Sequence, residues 1–175
     1  MKEQIAYFFY NYYEAFGLSP KLAKYANMLT LLLIALIVTY VIDRIVRAIL
    51  RAISVRVAKH TKAPVDDLLL ANKVPRNVAH IVPLLTALKI LHIVFIDFNY
   101  IETPIRKLLQ VLFIVLTLWI VRSILFTLED YFKTLPRLRD KPIDSYIQVF
   151  MIFAWVAGIF AAIAVFSDVS ILKFI

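Results

Sequence analysis

The apolar stretches of this chain carry few side chains able to do chemistry: two histidines, one lysine and, just outside them, a pair of aspartates. His80 and His92 fall in the same stretch, and imidazoles are common metal ligands. They stand 12 residues apart, which on one helix is about 120° of rotation and about 18 Å of rise. They cannot share a metal from a single helix, and no His-Glu-x-x-His pattern accompanies them. Packed or interfacial histidines are the expectation. Asp66-Asp67 is an adjacent pair of aspartates. Such pairs serve metals or acid–base steps, but sequence neighbours do not face each other on a helix, so a place in a helix's first turn is expected. A Ser-His-Asp reading lacks a nucleophile elbow, and two glycines leave no loop to cradle phosphate. No enzyme, cofactor or metal is expected.

Lys89 is the one intramembrane charge of the pattern, and such residues are functional candidates by default. A lipid phosphate or an interhelical partner would suit it, and so would a stem that carries the ammonium to the interface. A proton relay needs a second buried ionisable group, and Ser145 to Ser167 holds no charge. Arg44, Arg47 and Arg51 are spaced by three and four, so they share a helix face while Ile45, Ile49 and Ile53 keep an apolar one. Facing a cytoplasmic leaflet, each would gain about 1 kcal/mol from anionic headgroups. The same arginines also set topology. Arg44, Arg47, Arg51 and Lys89 are therefore the candidate lipid-headgroup contacts.

These residues need a scaffold, and composition restricts it. Of 175 residues, 62% are apolar and the mean hydropathy is +0.82, against about 45–50% in soluble domains. That excess cannot be buried in one 20.2 kDa globule, which excludes a soluble enzyme and a disordered chain. The absence of cysteine removes disulfides, thiolate zinc sites, iron–sulfur clusters and thiol nucleophiles. The net charge of +8 sits at the ends of apolar runs, as the positive-inside rule and anionic lipid require. Nucleic acid is not the expected partner.

The fold class is all-α integral membrane protein: four transmembrane helices and a short N-terminal interfacial helix. Seven aromatics between Tyr7 and Phe16 suit the headgroup boundary. They place that helix over 4–16, closed by Gly17 and restarted near Ser19-Pro20. The domain expectation is 1–18 for this segment and 19–175 for the four-helix part. Spans fall near 25–50, 76–97, 107–128 and 145–168, the first running on past the membrane through its arginines. The second is the weakest and tolerates Lys89 within it, with a kink at Pro83. Leu135 to Pro142 connects the third span to the fourth.

Lys and Arg on alternate sides number thirteen against six, Lys89 apart. Loops 43–76 and 122–144 are therefore expected in the cytoplasm, with both termini outside.

Three segments carry a family resemblance. Ala63-Pro64-Val65-Asp66-Asp67-Leu68-Leu69-Leu70 resembles the cytoplasmic turn of small-conductance mechanosensitive (MscS-like) channels. Val74-Pro75-Arg76-Asn77-Val78-Ala79-His80-Ile81-Val82-Pro83 resembles the next helix start in the miniconductance branch. Lys141-Pro142-Ile143-Asp144-Ser145-Tyr146-Ile147-Gln148-Val149 resembles the run into that branch's last helix before the pore. The resemblance spans roughly residues 40–170. It implies a homo-heptamer in the bacterial inner membrane, with N-terminal helices forming peripheral paddles that meet lipid and pass tension to a central pore. It also implies lipids between the paddle helices. The family's Gly- and Ala-rich pore helix and cytoplasmic β domain would follow residue 175. The expectation is therefore the sensor part of such a channel, releasing ions under osmotic stress. Two other classes stand beside it: a small four-helix transporter or membrane enzyme using Lys89, and a non-conducting structural subunit.

Overall fold

The computed structural model describes residues 5–60, 64–136 and 141–167. The start of the expected first helix, the centre of the 135–142 connector and the charges at Lys2, Lys62, Arg137, Arg139 and Lys173 lie outside the described residues. Among those described, every regular element is a helix, and four helices are long and apolar enough to cross a bilayer. The chain is an all-α membrane protein.

Helix α1 (Phe8–Ala15) stops where Gly17 takes φ +85°, a left-handed conformation costly to any residue with a Cβ. Proline opens α2 (Pro20–His60), where its missing N–H costs no hydrogen bond. At 41 residues this helix is about 62 Å long, twice the hydrocarbon thickness of about 30 Å. The arginine-bearing half therefore continues beyond the apolar window as one helix. Asp66 and Asp67 stand in the first turn of α3 (Pro64–Ala71), where carboxylates oppose the helix dipole favourably.

Lys73, with φ 58°, turns the chain into α4 (Val74–Ala79). Here the structure departs from a single kinked helix. The chain breaks at His80, whose N–H donates to Asn77 O at 3.2 Å, one residue short of the α-helical partner, and resumes as α5 (Ile81–Val94). Pro83 causes the break from three residues downstream: it offers no N–H to Ala79 O, and its ring collides with that carbonyl.

A compact corner follows, with Phe98 N donating to Phe95 O at 2.8 Å and Glu102 N to Phe98 O at 3.0 Å. Helix α6 (Asn99–Thr134) keeps Pro104 within its second turn and runs 36 residues, beyond both ends of the expected span. Helix α7 (Ile143–Ser167) is the last, with 25 residues.

Two compact units emerge, formed by the described residues of Met1–Arg44 with Val82–Leu109, and of Ile45–Ile81 with Gln110–Ile175. In the first, Leu31, Leu91, Val94, Phe95 and Phe98 form a buried cluster, with Phe9, Met28 and Ile105 packed on it. The α5–α6 corner is thus a plug of the core rather than a solvated loop. In the second unit, Gly158 of α7 lets Leu118 and Ile114 of α6 approach closely. The apolar faces of α2 and α7 remain open, since only 6% of each one's apolar window is buried.

Candidate functional site

The polar side chains inside the first unit gather where α1, the first turns of α2 and the α5–α6 corner meet. Lys24 of α2 donates to Asp97 Oδ1 in the corner at 2.9 Å, and the Tyr7 hydroxyl lies 3.5 Å from the same oxygen. One turn further along α2, Asn27 is 2% exposed and donates through Nδ2 to Ala6 O at 2.8 Å. Another turn along, Thr30 gives its hydroxyl hydrogen to Ala26 O at 2.8 Å. The Tyr13 hydroxyl, 2.8 Å from Thr30 Oγ1, is therefore the donor of that pair. Three tethers bind α1 and the two residues before it to their neighbours.

Beside them, Glu102 is a buried carboxylate in the first turn of α6. Arg106, one turn on, binds Oε1, and His92 Nδ1 lies 3.2 Å from Oε2. A buried carboxylate is tolerated only when paired, and here a cation and an imidazole supply the pairing. The arrangement fastens α5 to α6. It offers a metal two ligands at most, with Arg106 already occupying one oxygen, and no three His, Asp or Glu side chains converge among the described residues.

The second unit has its own interhelical hydrogen bonds. Asn72, at the end of α3, donates to Asp130 Oδ2 of α6 at 2.8 Å while also reaching Leu68 O at 3.1 Å. Asn77 of α4 donates to Ser123 Oγ at 2.6 Å. Ser123 and Asp130 are seven residues apart, two turns on one face of α6. Together the bonds set the register of the α3–α4 elbow on that helix. Buried Thr127 returns its hydroxyl to Ser123 O at 2.9 Å.

Of the residues singled out from the sequence, Arg47 lies within electrostatic reach of His80. Arg44 is exposed, donates through Nε to the Tyr40 hydroxyl at 3.0 Å and has its guanidinium 5.2 Å from that ring's centroid. Arg51 is exposed and Arg47 half-buried, further along the same helix. Lys89 is exposed on α5, and no hydrogen bond or ion pair engages it among the described residues. It stands five residues before the end of α5 at Val94, an axial distance of about 7.5 Å that a lysine stem covers. The two histidines separate: His80 fills the break between α4 and α5, and His92 joins Glu102.

The tethered cluster leaves little trace in the sequence. Lys24 and Asp97 only delimit apolar runs there, and Asn27 is hidden within an uncharged one. One local signal is present, the i, i+4 spacing of Glu102 and Arg106.

Comparison with family models, with curated proteins and with solved structures finds no match in any of the three. Fold and site define the class alone: an all-α multi-pass membrane protein whose polar interior fastens helices to one another.

Proposed function

We propose that this chain is the tension-sensing transmembrane region of a mechanosensitive channel of the MscS-like kind, contributing to ion release under osmotic stress. The observation that carries the reading is how little of the first and last spans is covered: 6% of each apolar window is buried. Helices bare on most of their circumference meet lipid, so lateral tension acts on them directly, favouring the state of larger in-plane area through tilt. Polar tethers of α2 and of α6 to their neighbours supply a fastened resting arrangement. The three motif segments that resemble the family add support.

The reading carries its topology and partners with it. The chain sits in the bacterial inner membrane with the N-terminus outside and loops 43–76 and 122–144 in the cytoplasm. Its helices surround a pore as a homo-oligomer, a heptamer as in the family it resembles. Arg44 and Arg51, exposed on the extension of α2, meet anionic headgroups together with Arg47. Lys89 reaches the phosphate layer of the other leaflet.

Suction applied to patches from cells expressing the whole gene product tests this. Stretch-activated currents are expected, with an opening tension altered by the joint replacement Arg44→Gln, Arg47→Gln and Arg51→Gln and by Lys89→Met. Patches silent under suction would overturn the proposal. Loss of a transport or turnover activity in Lys89→Met, with tension responses absent, would instead identify a transporter or enzyme.

A further inference from the structure

We infer that α1 lies in the plane of the membrane interface, its Phe8–Tyr12–Phe16 face inserted among lipids and a neighbouring face clamped to the first membrane span. The placement follows from the tethers and from length. Ala6 O is held by Asn27 and the Tyr13 hydroxyl by Thr30, both near the start of α2. At eight residues α1 is about 12 Å long, far short of the hydrocarbon thickness of about 30 Å. It stays at the end of the span where those tethers hold it, along the boundary rather than across the bilayer.

The depth follows from the same contacts. Asn27 and Thr30 stand one and two turns inward of Lys24, the last charge before 18 uncharged residues. Amphipathic interfacial helices settle about 5–10 Å into the boundary between headgroups and acyl chains, and one to two helical turns is that distance.

The faces of α1 divide accordingly. Phe8, Tyr12 and Phe16 recur every four residues and are exposed, with the Tyr12 and Phe16 rings 4.9 Å apart. Ile5 lies on the same side and is exposed too. Phe9 packs on the core cluster, and Ala6 is fully buried. Asn11 and Glu14 occupy the remaining side and are exposed. An apolar face, a protein face and a polar face suit lipid, α2 and water in turn.

The occupant of the aromatic face is a lipid surface rather than a protein partner, because the segment is tethered to the start of a membrane span that itself exposes Leu22, Tyr25 and Leu29. No lysine or arginine lies in α1, so aromatic burial rather than headgroup charge drives insertion. Held to α2 through Ala6 and Tyr13, this segment is a handle by which the interface pulls on that helix.

The chain has no cysteine, so single cysteines can carry a nitroxide in the whole protein reconstituted into phosphatidylcholine vesicles. Labels replacing Phe8, Tyr12 or Phe16 are expected to collide with oxygen more than with a water-soluble nickel chelate. Labels replacing Asn11 or Glu14 should show the reverse. The first group should sit about 5–10 Å below the phosphates. Chelate-dominated collisions at positions 8, 12 and 16 would overturn the inference, placing α1 in water. Labels at those positions shielded from both reagents would overturn it too, showing a protein partner on the face. No outcome depends on conduction, so the inference stands or falls apart from the channel reading.

Discussion

Lys24 Nζ and Asp97 Oδ1 stand 2.9 Å apart although 73 residues separate them in sequence, joining the first span to the α5–α6 corner. The pair is lopsided, the lysine side chain being 45% exposed and the aspartate 13%. Freed of its partner, Lys24 swings into water or headgroups, whereas Asp97 keeps a carboxylate that has lost its cation in a half-buried place. Lys24→Met is therefore expected to lower the melting temperature in detergent more than Asp97→Asn does. The double variant should recover most of the difference, since it leaves no unpaired charge. Equal effects, or no coupling in the four-variant cycle, would show the contact to be incidental.

Glu102 makes a second fastening a few residues on, with Arg106 and His92 on its two oxygens. A charge-assisted hydrogen bond contributes about 1.5–3 kcal/mol, and the segment between these residues forms the plug of the first unit's core. Glu102→Gln should raise amide exchange in Phe95 to Ile101 by about 10- to 100-fold, because a tenfold change corresponds to about 1.4 kcal/mol. Exchange near Asn77 and Ser123, in the other unit, should not change. Uniform acceleration across the chain would indicate general destabilisation instead of a local clasp.

The spans were legible because a membrane helix is written in one dimension, as uninterrupted apolar residues of sufficient length. The extension of α2 was legible in the three- and four-residue spacing of Arg44, Arg47 and Arg51. The break at His80 was visible only as Pro83, since the damage a proline does falls on the preceding turn and the neighbouring helices decide between a bend and a break. The tethered cluster was not legible. Burial of Glu102 and Asn27 is a property of which helices meet, and no local pattern records that Lys24 and Asp97 will be neighbours.

Orientation is testable with the same cysteine-free background. Asn99, at the start of α6, and Pro136, just after its end, are both exposed and lie at opposite ends of one membrane-crossing helix. The proposed topology, which rests on the excess of basic residues, puts the end near Pro136 in the cytoplasm. In intact cells a membrane-impermeant maleimide should label Asn99→Cys and leave Pro136→Cys unmodified until the membrane is opened. The reverse pattern would invert the topology, and with it the leaflet assigned to Arg44, Arg47 and Arg51.

Gly158 decides how closely α7 approaches α6. A Cβ there would stand 2.6 Å from Leu118 Cδ1 and 3.6 Å from Ile114 Cγ2. Small residues allow such approach between membrane helices, where packing rather than hydrophobicity supplies the attraction. The nearest atom is the tip of a flexible side chain, so one methyl can be accommodated by a rotamer change in Leu118. Alanine also gains up to about 1 kcal/mol over glycine in helix propensity. Gly158→Ala is therefore expected to shift stability by less than about 1 kcal/mol in either direction. Gly158→Val cannot be accommodated that way and should cost about 1–3 kcal/mol through overpacking. Adding Leu118→Ala to Gly158→Val should return part of that loss, because the shortened side chain leaves the volume that valine needs. Unfolding by SDS titration of the three variants measures each step. A Gly158→Val protein as stable as the parent would mean that α7 is free to stand away from α6, and that the close approach does not hold the last span in place.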